Sequence, residues 1–239
     1  MHFQINVNMA NKHSDNDENI VDLGSSYSKF ENFFKTYNKA LTFGLVAIVV
    51  LAGGFVYYME MIQKPNEEKA KEEIFTAEYY FGLDSFNLAL NGKEGEYYGF
   101  IQVIDEYGNT KAGNLAYYYA GICYLNTGKF QEAIDHLGKF SSNDIILSSM
   151  ALGCTGDAYR ELGNSEEAVK YYEKAADKNI NDYTTPLFLK KAALTFEEDL
   201  KNNEKALSLY KRIQKEFANT EAANDIEKYI ARIEFSQSN

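Results

Sequence analysis

The side chains that could do chemistry in this chain are few and badly spaced for it. Of three histidines, His2 and His13 lie close to the N-terminus, and His136 stands alone in a stretch of helical pattern, where it is expected to face solvent. Cys123 and Cys154 are 31 residues apart and neither belongs to a Cys-x-x-Cys pair, so no metal-ligand spacing is present. Each reads as a small buried apolar residue, and a bridge between them would require an oxidising compartment. The carboxylate runs Glu72-Glu73, Glu166-Glu167 and Glu197-Glu198-Asp199 are adjacent in sequence. On a helix they point apart, so they read as solvated faces and not as acid/base pairs. There is no glycine-rich phosphate loop, no His-Glu-x-x-His and no nucleophile elbow. The expectation is a protein that is not an enzyme and holds neither cofactor nor metal.

The informative residues are those that position helices. Ala116, Gly121, Tyr124, Gly128, Glu132, Ala133 and Lys139 reappear 35 residues later as Ala151, Gly156, Tyr159, Gly163, Glu167, Ala168 and Lys174. Gly121/Gly156 and Ala133/Ala168 suit two helix backbones in close approach, with Tyr124 and Tyr159 filling the space beside them. Gly128 and Gly163 suit helix C-termini, which favour the left-handed conformation. Asn164 followed by Glu167 reads as a cap and capping box for the next helix.

Elsewhere the pattern predicts an all-α chain. Residues 1–27 are polar and expected to be disordered. Met9 could be the true start in place of Met1. Residues 28–39 carry Phe30, Phe33, Phe34 and Tyr37 at helical spacing with three lysines. This fits either an amphipathic juxtamembrane segment or a plain extension of the next element. Residues 40–59 contain no charge, and 20 residues of helix at about 1.5 Å each span about 30 Å, the hydrocarbon thickness of a bilayer. A cleavable signal peptide would be shorter, nearer the N-terminus and followed by a small-residue cleavage site. A transmembrane helix contacting lipid through 40–59 is therefore expected, with Gly44, Gly53 and Gly54 as a weak pairing face. Lys29, Lys35 and Lys39 before it balance Lys64, Lys69 and Lys71 after it, so charge does not decide the orientation.

Pro65-Asn66 is expected to break that helix and 66–236 to form a solenoid of four helix pairs, at 67–107, 112–140, 146–177 and 184–217. A capping helix at 220–236 would close its C-terminal end. From Glu60 onward there are 20 basic and 30 acidic residues, and the whole chain carries −11. Such a surface argues against nucleic acid and for solubility or a basic partner.

A helix-turn-helix unit of this length, as in AGICYLNTGKFQEAI and TGDAYRELGNSEEAV, resembles the tetratricopeptide repeat. The resemblance implies a concave groove lined by first helices. Carried over position by position, it comprises Leu115, Tyr118, Ile122, Leu125 and Asn126, then Met150, Gly153, Asp157, Arg160 and Glu161. In the fourth pair it comprises Leu187, Lys190, Leu194 and Glu197. For the apolar members, packing against the next repeat is the competing role. Tyr118 and Ile122 stand where the family's carboxylate clamp needs Lys and Asn, which disfavours binding of C-terminal carboxylates.

A span near residue 40, a proline after it and repeats ending in a helix, over 27–235, are similar to single-pass, membrane-anchored envelope repeat proteins. DSFNLALNG and TKAGNLAYYYAGICYLN are like Bacteroidetes members, and the ancillary subunit of the Sec translocon is the best-known relative. The resemblance implies a cytoplasmic N-terminus, periplasmic repeats at the inner membrane, and a role as adaptor or chaperone-like factor for secreted and envelope polypeptides, with translocon subunits among its partners. The alternative is a structural scaffold for a division or wall-synthesis complex.

Overall fold

The computed structural model describes residues 23–237, so the choice of start and the first 22 residues of the stretch 1–27 expected to be disordered lie outside the described residues. The described residues are helical apart from turns and one isolated antiparallel bridge, Lys93 to Tyr97. They fall into two compact units, divided in sequence between Tyr58 and Met59.

The first unit is one helix, α1 (Leu23–Tyr58). The helix already includes Leu23 to Tyr27, the end of the stretch expected to be disordered. It takes in the aromatic segment 28–39 as well, so that segment is an extension of the apolar helix and no separate element. Phe33 packs edge-on to Phe34 and lies 5.0 Å from Tyr37. Phe43, Leu45, Ile48, Leu51, Phe55 and Tyr57 are all exposed. The helix is long and apolar enough to cross a membrane.

In the second unit the expected break at Pro65 is absent. A π turn, Met59–Gln63, passes into α2 (Lys64–Gly82), and Pro65 sits in the first turn of α2, directly after that turn. The expected first pair, 67–107, is three helices: α2 ends at Gly82, Asp84 takes a left-handed φ of 53°, and α3 (Phe86–Asn91) follows. A tight loop then leads to α4 (Phe100–Tyr107). Gln102 pins that loop: its amide accepts from the Gly99 N–H at 2.9 Å and donates to the Asn91 carbonyl at 2.8 Å.

The three clearer repeats are α5 (Lys111–Asn126) with α6 (Phe130–Leu137), α7 (Ile145–Glu161) with α8 (Ser165–Lys178), and α9 (Thr184–Glu198) with α10 (Asn203–Glu216). Gly128 and Gly163 have φ of 76°, the left-handed geometry that ends a first helix. A Cβ on Gly121 would lie 2.5 Å from Leu137 Cγ, and one on Gly156 would lie 2.7 Å from the Tyr172 ring, so these glycines allow the close approach. Thr110, Asp144, Asn164 and Asn202 accept from backbone N–H groups in the first turns of α5, α7, α8 and α10. At Asn164 only the cap forms: the Asn164 N–H donates to the Tyr159 carbonyl, and Glu167 pairs with Lys170. The cap helix starts later than Thr220: a 3-10 turn, Glu221–Ala223, precedes α11 (Ile226–Gln237).

Burial is concentrated at both ends of this unit. One cluster joins α2 to α5 around Phe100, Leu90, Val103 and Cys123, and another joins α8 to α11 around Tyr172, Phe188, Tyr210 and Ile233. A small one between them holds Tyr118, Leu137, Ala151 and Cys154.

Candidate functional site

Three successive repeats build the cleft that gathers the largest share of the expected groove residues: α5 with α6, α7 with α8, and α9. The α5–α6 turn supplies Leu125, Asn126 and Gly128, the end of α7 supplies Asp157, Arg160 and Glu161, and Tyr172 and Lys191 form the floor and far wall around about 560 Å³. Gly128 keeps the turn tight enough for Phe130 to reach the same cleft.

The floor is a polar network. The Tyr172 hydroxyl, on a side chain 1% exposed, donates to Asp157 at 2.7 Å, and Lys191 Nζ donates to both Asp157 oxygens at 2.7 Å. Burial first, and then the Asp157 charge, push the Tyr172 phenol far above its ordinary range. Arg160 reaches across to α9, donating from Nε to Asp199 at 2.8 Å and from Nη2 to Glu198 at 3.0 Å. Its guanidinium is held charged by that Asp199 bond, and the Asp199 carboxyl is lowered by the same contact. Within the run Glu197-Glu198-Asp199, Glu198 and Asp199 stay exposed while holding Arg160, and Glu197 is the one that turns inward, accepting from the Tyr210 hydroxyl and from Arg232 Nε and Nη2.

The remaining expected residues divide differently. Tyr118 is 7% exposed and belongs to the central core, beside the Phe140 ring at 5.2 Å, so it packs and does not face a ligand. Leu115, Ile122 and Met150 pack half-buried against the same core. A Cβ on Gly153 would fall 1.9 Å from the Phe188 ring, which places Gly153 at a helix contact. Lys190 belongs to a second and larger cleft, about 750 Å³, between the start of α9 and the 3-10 turn, with Asp182, Tyr183, Leu187, Glu221 and Asp225. It donates to Asp225 and lies 5.3 Å from the Tyr229 ring centre.

Sequence reading missed Phe130, Tyr172 and Lys191. The signal for Lys191 was present: Asp157 and Lys191 are opposite charges one repeat length apart. His136 is also not where it was expected. It is half-buried, 4.9 Å from the Tyr124 ring, and Nδ1 lies 2.8 Å from the Glu132 carbonyl. Cys123 and Cys154 are free and buried, and burial pushes both thiols up to about 12, which leaves them as unreactive packing groups.

Family models of the tetratricopeptide repeat match residues 115–144, 156–177 and 191–220. These cover most of the second helix pair and parts of the third and fourth, each of the last two starting within the pair's first helix, and the matches support the tetratricopeptide-repeat family. That family's repeats typically form non-enzymatic surfaces for protein–protein interaction, which is the role the cleft between adjacent repeats fits. No curated protein matches the chain.

Proposed function

We propose that this chain is a single-pass membrane protein whose repeat groove binds other polypeptides, acting without catalysis as an adaptor or chaperone-like factor for secreted and envelope proteins at the inner membrane, in the manner of the translocon's ancillary subunit. The observation that carries this reading is the cleft made jointly by the second, third and fourth helix pairs, in which Leu125, Asn126, Asp157, Arg160 and Glu161 converge. It supports a groove for an extended segment, with apolar and hydrogen-bonding walls. The apolar stretch 40–59 supplies the tether, and confinement to a surface raises effective concentration enough for a weak groove to act. In this reading the N-terminus is cytoplasmic and the repeats are periplasmic.

A photocrosslinking residue at Asn126 in living cells is expected to capture envelope precursors or translocon subunits, and recovery of cytosolic proteins alone would refute the reading. Stoichiometric recovery of one folded complex would point to a fixed scaffold instead. Ile180→Cys, at a position 69% exposed, reports orientation, because the two native cysteines are buried. A membrane-impermeant reagent that crosses the outer membrane should label it without permeabilising the inner membrane.

A further inference from the structure

The ionisable side chains lining the two clefts are unequally committed. Every cation there already has an internal anion: Arg160 is held by Glu198 and Asp199, Lys191 by Asp157, and Lys190 by Asp225. Three lining carboxylates have none. Glu161 in the first cleft, and Asp182 and Glu221 in the second, are exposed, and their side chains make no hydrogen bond or ion pair among the described residues. A ligand anion would find no free cation and would have to displace an existing pair. A ligand cation would meet an unneutralised carboxylate in either cleft, next to apolar surface from Leu125 and Phe130 in one and from Tyr183, Pro186 and Leu187 in the other.

We infer that these clefts recognise a cationic segment, an extended stretch in which Lys or Arg alternates with apolar side chains, the bases seated on Glu161 in the first cleft and on Asp182 and Glu221 in the second. The inference rests on the groove reading above and adds its selectivity. It extends the sequence argument against a carboxylate clamp: Tyr118 and Ile122 deny the clamp its donors, and the prior commitment of Arg160, Lys190 and Lys191 removes the cations that could replace them. The apolar flanks give contact area while the carboxylates set charge preference and register.

The test uses the full chain in detergent micelles and three fluorescein-labelled ten-residue peptides that alternate Leu with Lys, Gln or Glu. The Lys peptide is expected to bind about tenfold or more tighter than the Glu peptide in low salt, a factor that a few exposed charge contacts can supply. The gap should close as the screening length shrinks from about 10 Å at 0.1 M to about 3 Å at 1 M salt. Replacing Glu161→Gln, Asp182→Asn and Glu221→Gln together should abolish the preference while leaving helical content and Gln-peptide binding unchanged. The same loss of charge on second helices, Glu132→Gln, Glu166→Gln and Glu204→Gln, should leave the preference in place. Equal or tighter binding of the Glu peptide overturns the inference, and so does a preference lost equally with both triple variants, which would assign it to net charge alone. If the Gln peptide crosslinks from Asn126 without any preference for Lys, selectivity fails and the groove stands. If no peptide crosslinks from Asn126, both fail.

Discussion

The stack from α2 to α5 and the stack from α7 to α11 repeat one architectural unit and hold it together by different chemistry. In the first, rings interlock: Phe81 lies 4.9 Å from Tyr119, Tyr119 stacks on Phe100 at 5.2 Å, and Phe81 meets Phe100 edge-on at 6.2 Å. The ion pairs there, Lys71 with Glu67 and Glu68 and Lys93 with Glu96, are all local. In the second, opposite charges 34 or 35 residues apart join neighbouring repeats: Asp157 with Lys191, Asp177 with Arg212, Lys190 with Asp225 and Glu197 with Arg232. A helical stack brings residue i beside its counterpart one repeat on, so a charge alternated at the repeat length becomes a ladder. Aromatic packing is indifferent to salt and pH and a ladder is not, so the two ends should respond differently to the same conditions.

The largest effect is expected at the aromatic end. Phe100 is fully buried against two rings, and Phe100→Ala should cost about 3–5 kcal/mol through lost burial and the cavity left behind. Urea unfolding followed by circular dichroism measures it. A loss under about 1 kcal/mol would mean that the ring cluster is not what joins α2 to α5. Next in size is Gly153→Ala in α7. Its new Cβ would meet the fully buried Phe188 ring at 1.9 Å, and displacing a packed ring costs about 1–3 kcal/mol, offset in part by about 1 kcal/mol of helix propensity. Phe188→Leu in the same chain should recover part of the loss. Failure to recover any of it would show that the ladder, and not packing against α9, sets the tolerance of this position.

Acid separates the two ends by sign. Asp199 and Asp225 are lowered from their ordinary value near 3.8 by their hydrogen bonds to Arg160 and Lys190. Their contribution is complete above the unfolded value and is lost as pH falls through the lower folded one. Glu78, in α2, is raised by desolvation. Its burial penalty is present at neutral pH and lifts as pH falls through the raised folded value. Glu173 in α8 is raised for the same reason and reduces the net acid loss at the ladder end. Between pH 6 and 3, hydrogen-exchange protection corrected for intrinsic rates should fall in α9–α11 and hold or rise in α2–α5. The reverse order would break the comparison.

What could be read beforehand was what is encoded within a few residues. Gly128 and Gly163 announce their turns, Asn164 its cap, and Gly121 and Gly156 the helix contacts, because each states a local steric demand. The first unit hid its boundaries. The turn after Gly82 puts its left-handed residue at Asp84, not at a glycine, and Gly92 and Gly99 matter through each other: a Cβ on Gly92 would lie 2.3 Å from the Gly99 nitrogen. Among the groove positions, polar ones such as Asp157 and Arg160 line the cleft, while Tyr118 lies in the core. Spacing assigns a residue to a face of its helix, and how far the next repeat covers that face depends on the angle between repeats.

The smallest expected effect discriminates best. Lys190 and Asp225 are each partly shielded from solvent, at 21% and 36% side-chain exposure, so their coupling in a double-mutant cycle with Lys190→Met and Asp225→Asn should be near the upper end of about 0.2–1 kcal/mol. The cycle Phe81→Leu with Tyr119→Leu should give about 0.5–1.5 kcal/mol, a similar size from an unrelated source. Salt tells them apart. Raising ionic strength from 0.1 to 1 M shortens the screening length from about 10 to about 3 Å, so the first coupling should shrink and the second should not. The Tyr229 ring beside Lys190 is present throughout the first cycle, and its cation–π attraction is lost in both backgrounds that carry Met, so it cancels from the coupling. Should the Lys190–Asp225 coupling survive 1 M salt undiminished, the pair is held by shape and not by charge, and the distinction between a ring-packed end and a ladder-bound end disappears.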